Sequence, residues 1–140
     1  MHPGRAFRSG ARRICSHRMT PAVRRASDVV EFESAERCWI LEVANDADDP
    51  ACSIARARVA PGVTTEWHFL AGIAERYVIV SGRGRVEVGE LPPTDVGPGD
   101  VVRIPPDVPQ RITNVGAVDL IFYCVCTPRF DAAAYRTGAG

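Results

Sequence analysis

The sequence contains no lysine: all 17 of its basic residues are arginine. That points to GC-rich coding more than to function. No apolar run approaches the ~20 residues needed to span a bilayer, and no stretch has the apolar centre of a secretory signal. A soluble, cytoplasmic globular protein without membrane partners is the expectation. The five cysteines (15, 38, 52, 124 and 126) are odd in number and sparse, so no disulfide framework is indicated and reduced thiols are expected. Cys124 and Cys126 would share one strand face and read as two small buried thiols rather than as a metal clip. There is no internal repeat, no low-complexity tract, no helix-turn-helix and no kinase-type loop.

At 140 residues the chain fits one domain, long enough to bury its own core. Charge is uneven along it. Residues 1–18 hold five arginines and no acid, which leaves 12 arginines against 17 acids in the remainder, a net of −5. A body of that sign lacks the basic surface that phosphate contacts need, so nucleic acid is not an expected partner. Residues 1–27 read as a basic, disordered leader and 28–140 as the domain. The leader has three open readings: a mobile arm, an Arg-rich transit-type segment, or a start-site artefact with Met19 as the true first residue.

From Asp28 onward the text is strand-rich. Short β-type runs fall at 29–32, 37–43, 52–59, 64–69, 75–81, 84–89, 101–104, 110–115 and 119–126. Gly, Pro, Asn and Asp clusters punctuate them, as at 45–50 and 90–100. Many short strands at this spacing predict an all-β sandwich or barrel. The single helical suggestion is FDAAAYR, 130–136, read as a short cap.

Two blocks sharpen this. PGVTTEWHFLAGIAERYVIVSG carries Gly62, His68, Glu75 and Gly82; GDVVRIPPDVPQRITN carries Gly99, Pro105, Gln110 and Asn114. Their spacing resembles the two signature motifs of the cupin superfamily. The resemblance spans about 53–128 and implies a double-stranded β-helix, the cupin jelly-roll barrel. It departs from the family pattern at three places. Leu70 stands where the second motif histidine belongs, Asp107 replaces a glycine, and Gln110 replaces the last histidine.

Strand alternation places Glu66, His68 and Leu70 on one face, Glu75, Tyr77 and Ile79 on another, and Gln110 with Ile112 on a third. If His68 faces the barrel interior, as the resemblance implies, Glu75, Tyr77 and Gln110 join it. The implied metal ligands are His68, Glu75 and Gln110, with Fe, Mn, Ni, Zn or Cu as the implied ions and Glu66 a possible substitute donor. The implied catalytic groups are His68, Glu75 and Tyr77. A buried Glu75 needs a metal, an interior arginine (Arg56, Arg58 or Arg111) or a proton. Asn114 is expected to close a turn, and Arg129 with Phe130 to border the barrel mouth.

Three functions stay open on sequence alone. One is a small-molecule enzyme of isomerase, lyase or dioxygenase type, metal-dependent or working through a His68–Glu75 acid–base pair. The second is a non-catalytic binding barrel, and the third a structural cupin with a degenerate site. The retained Glu75 and the polar Gln110 favour a pocket still in use. Homodimerisation through the early strands around Trp39 is expected, because edge strands need covering.

Overall fold

The computed structural model describes residues 19–139. Among these residues eleven strands are found: β1 (Phe32–Glu33), β2 (Trp39–Ala44), β3 (Ser53–Val59), β4 (His68–Leu70), β5 (Ala74–Ser81), β6 (Gly84–Val88), β7 (Thr94–Val96), β8 (Val101–Ile104), β9 (Gln110–Asn114), β10 (Leu120–Thr127) and β11 (Tyr135–Thr137). They form two antiparallel sheets, ordered β1-β2-β3-β10-β5-β8 and β11-β4-β9-β6-β7. Strands distant in sequence, such as β3 and β10, lie side by side. This is the jelly-roll arrangement of an all-β double-stranded β-helix.

Period-two burial builds the core. Glu75, Tyr77 and Ile79 are buried along β5, Gln110, Ile112 and Asn114 along β9, and Val86 and Val88 along β6. Phe122, Ile79, Ile104, Ile112 and Leu120 fill the space between the sheets. Each contributes about 1.5–3 kcal/mol by leaving water. A second apolar cluster gathers Leu70, Ile73 and Cys126, with Phe130 and Tyr135 packed on it.

The turns carry the glycine signals. Gly82 has φ +85°, and a Cβ there would stand 2.7 Å from the Asp119 carbonyl oxygen, so the turn requires glycine. Asp107, where the motif has glycine, also sits in the left-handed region at φ 66°. Its carboxylate accepts from the Gly72 amide, 35 residues earlier, at 3.1 Å, and Asp is among the few non-glycine residues that visit this conformation. Asn114 does close its turn. Its Nδ2 donates to the carbonyls of Val59 and Val118, both at 2.8 Å, and its Oδ1 accepts from the Gly116 amide.

Two segments differ from the sequence expectation. The 130–136 stretch is not an α-helix: a 3-10 turn over Ala132–Ala134 runs into β11, which pairs with β4. The Asp131 side chain caps that turn through the Ala133 amide, and β-branched or aromatic cross-strand partners then favour extension. Within 90–100, Thr94–Val96 pairs with β6 rather than remaining a turn. Of the basic leader, residues 1–18 lie outside the described residues. In the rest of it, Arg24 pairs with Asp46 at 2.6 Å and the Thr20 amide donates to Asp48. Among the described residues no helix is long and apolar enough to cross a membrane.

Candidate functional site

A cavity of about 340 Å³ opens between the two apolar clusters. Its polar wall includes Glu36, His68, Glu75 and Tyr77; its apolar wall includes Ile40, Leu70 and Phe122. The sequence-predicted residues are thus brought to one neighbourhood, with one distinction. His68, Glu75 and Tyr77 line the cavity, whereas Gln110 lies behind them, fully buried and opposite His68 in the β4–β9 register.

Gln110 is fully engaged. Its Nε2 donates to Glu75 Oε1 at 2.6 Å, and its Oε1 accepts from the Tyr77 hydroxyl. The second Glu75 oxygen accepts from the Cys126 thiol at 3.5 Å. None of the three candidate arginines reaches Glu75. Arg56 and Arg58 pair with Glu31, and Arg111 pairs with Glu87 while lying over the Trp67 ring. Burial therefore pushes the Glu75 carboxyl up, against the lowering effect of the Gln110 bond. Burial also holds the Tyr77 hydroxyl well above its ordinary value. Arg76 turns to the opposite face and donates to Thr127.

His68 is held on three sides. Its Nδ1 lies 2.8 Å from the Glu66 carbonyl oxygen. That oxygen only accepts, so Nδ1 carries the hydrogen and a neutral ring presents its Nε2 lone pair. Nε2 stands 3.7 Å from Glu36 Oε2. Tyr135 of β11 stacks on the ring, centroids 5.1 Å apart at 22°, and its own hydroxyl is buried without a partner. Glu66 thus serves His68 through its backbone, and its side chain does not line the cavity.

Glu36 is the residue that sequence reasoning missed. It sits in a tight turn before β2. There the Ser34 hydroxyl donates to the Cys38 carbonyl and accepts from the Glu36 amide, and Arg37 takes φ 67°. Burial, with the negative charge of Glu66 adding to it, pushes the Glu36 carboxyl up to about 7. No motif marks it. The available signal was a polar SAER turn directly before the apolar run of β2, a pattern that any surface loop shares.

Cys38, Cys124 and Cys126 also line the cavity, and the four described cysteines are free. Burial pushes the Cys38 thiol up to about 12 and raises the other two cavity thiols as well. Thiols raised in this way are poor nucleophiles.

A resident divalent ion needs at least three convergent donors. In the expected set the carboxamide oxygen is taken by Tyr77, and both carboxyl oxygens already accept hydrogen bonds. Among the described residues no group of three or more His, Cys, Asp or Glu side chains could hold a metal ion. The side chains present do not fit a resident divalent metal.

Comparison with known proteins follows the fold. Structures similar to this chain include the nucleoside dehydratase Pac13 of Streptomyces (TM-score 0.71, 17% identity, 86% of this chain and 92% of that one). KdgF from Halomonas sp. aligns at TM-score 0.69 and 16% identity over 80% of this chain and 99% of that one. A predicted oxalate decarboxylase from Thermotoga maritima aligns at TM-score 0.68 and 22% identity over 76% and 99%. At these identities the likeness is one of fold. A curated relative, the uncharacterized protein MJ1618 of Methanocaldococcus jannaschii, is 35% identical over 79 residues, 56% of this chain. The chain spans only 62% of that relative's length. The Cupin domain family model matches residues 55–126, a segment that carries both signature blocks and most of the cavity's strands, and the chain belongs to that family.

Proposed function

We propose that this cupin is a small-molecule enzyme working by proton transfer, of lyase or isomerase type, with His68 as the base and Glu36 as its proton partner. The observation that carries this reading is the His68–Glu36 pair at 3.7 Å on the cavity wall, with the imidazole oriented by the Glu66 carbonyl. A base whose tautomer is fixed and a carboxyl that titrates near neutrality are what general acid–base catalysis needs. His68 Nε2 would take a proton from a carbon next to a carbonyl. Glu36, protonated in part of the population, would return one to the departing hydroxyl or to a neighbouring carbon. Glu75, Gln110 and Tyr77 form the buried chain that keeps the cavity wall in register, with Tyr77 and Glu75 the groups nearest a bound carbonyl.

Dehydration by such a pair needs neither redox cofactor nor metal, and the similarly folded Streptomyces protein is described as a nucleoside dehydratase. The proposal assigns no resident Fe, Mn, Ni, Zn or Cu. It includes self-association through the β1–β2 edge, where Phe32 is exposed, and action in the cytoplasm.

The test is a panel of hydroxy-carbonyl compounds and nucleosides, followed by NMR in deuterated water for loss of water or uptake of deuterium. Turnover should vanish in His68→Gln, fall in Glu36→Gln, and survive exhaustive chelation. Turnover that disappears on chelation and returns with one divalent ion would overturn the metal-free reading. Turnover unchanged in His68→Gln would remove His68 from the chemistry.

A further inference from the structure

We infer that the cavity takes an uncharged, oxygen-bearing organic molecule, and discriminates against carboxylates and phosphates, because among the described residues it offers carboxyl groups and no arginine. This deepens the proton-transfer reading by naming its substrate class, and it rests on that reading for the word substrate.

None of the 12 arginines among the described residues lines the cavity. Those on the strands nearest to it are spent outside. Arg58 meets Glu31 at 2.5 Å, Arg111 meets Glu87 at 2.5 Å, and Arg76 meets Thr127 at 2.5 Å. The charged or chargeable groups facing inward are instead Glu36, Glu42, Glu75 and His68. An anion entering this space loses its water and meets no arginine; the one group there that can turn cationic, His68, already faces Glu36 at 3.7 Å, so desolvation costs several kcal/mol with little return. Repulsion from any ionised carboxylate adds to it.

A cationic ligand is disfavoured on different grounds. Glu75 already accepts from Gln110 and Cys126, and Glu36 stands against His68. An ammonium group would have to displace one of those contacts or settle on Glu42, which the cavity shares with the neighbouring groove. A neutral hydroxyl or carbonyl can join them without changing the net charge. The apolar remainder of the ligand finds Phe32, Phe122 and Phe130. The volume, about 340 Å³, lies at the small end of the ~300–1,000 Å³ typical of ligand pockets.

One cation adjoins the site without lining it. Arg129 borders a neighbouring groove that shares Asn45 and Phe130 with the cavity, and its Nε donates to Asn45 Oδ1 at 2.7 Å. That groove also holds Glu42 and Asp131. An anion that entered by way of Arg129 is the competing outcome, and the experiment separates it.

Matched probes decide the matter: benzyl alcohol, benzoate and benzylamine, and uridine against uridine monophosphate. Each is titrated at neutral pH into the full-length protein and into His68→Gln. Binding is read by ligand-observed NMR, and its place by amide shifts on β3, β5 and β10. The expected result is that the neutral member of at least one set binds at least about tenfold more tightly than its charged counterparts, with shifts confined to those strands. Benzoate or the monophosphate binding as well as the neutral probe, and losing that binding in Arg129→Ala, would overturn the inference. So would benzylamine binding most tightly, or no neutral probe binding at millimolar concentration. Because no turnover is read, a charge preference that persists in His68→Gln upholds the inference even where the proton-transfer reading fails.

Discussion

Gln110 Nε2 donates to Glu75 Oε1 across 2.6 Å, joining the second signature block to the first in the wall of the cavity. The same amide accepts the Tyr77 hydroxyl on its other end. A carboxamide has a donor and an acceptor, so a single residue satisfies a buried carboxyl and a buried phenol together. An imidazole at this position would satisfy both only in one tautomer.

Gln110→Leu should therefore destabilise the fold by about 2–6 kcal/mol, because it strands two buried polar groups at about 1–3 kcal/mol each. Adding Tyr77→Phe should recover about 1 kcal/mol or more, since one of the stranded groups is then gone. Chemical denaturation of the single and double variants measures the coupling. Strict additivity would separate Tyr77 from Gln110.

The purified protein should retain no stoichiometric divalent metal. Leu70 follows His68 on the same buried face of β4, and Gln110 is the register partner of His68. Leu70→His combined with Gln110→His should then surround one point with three imidazoles and Glu75. Elemental analysis should find about one bound ion per chain in the double variant, and a smaller gain in each single one. No gain in the double variant would mean these side chains do not converge.

Glu36 gives a stability signature of known sign. Its carboxyl rises from an ordinary 4.5 to about 7 in the folded protein, so the folded state binds the proton more tightly than the unfolded one. Its stabilising contribution is complete below about pH 4.5, is lost as pH rises through 7, and stays lost above that. The difference is at most on the order of 3 kcal/mol, less for a side chain that keeps 25% of its exposure. Glu36→Gln should raise the melting temperature at pH 8 more than at pH 5. An equal shift at both would show that Glu36 titrates as a surface residue.

Gly82→Ala should cost about 2 kcal/mol or more. It combines φ +85° with a Cβ placed 2.7 Å from the Asp119 carbonyl oxygen. By contrast, Gly62→Ala, also at positive φ but with nothing within 4 Å of its Cβ, should cost only the backbone strain, about 1–2 kcal/mol. Similar losses at the two positions would mean that the close approach to Asp119 relaxes freely.

Much of the fold was legible because period-two alternation is a local property. Ile79, Ile112 and Phe122 announce their faces through their immediate neighbours, and the turn residues Gly82 and Asn114 mark where strands end. The same alternation put Glu75 and Tyr77 on one face. β11 was not legible, because its pairing partner, β4, lies more than sixty residues earlier and nothing in FDAAAYR favours a strand by itself.

The sequence by itself determined, through strand alternation, which side chains could share a face, and its resemblance to the cupin motifs brought His68, Glu75, Tyr77 and Gln110 into one list. Only the tertiary structure decided their partners. It gave Gln110 to Glu75 and Tyr77, turned every candidate arginine outward, and set Glu36 beside His68 from a turn outside both motifs. The physical reason is range. Face alternation is fixed by backbone geometry over a few residues, whereas a hydrogen-bond partner and the burial that shifts a carboxyl are fixed by chains that meet only when the two sheets close.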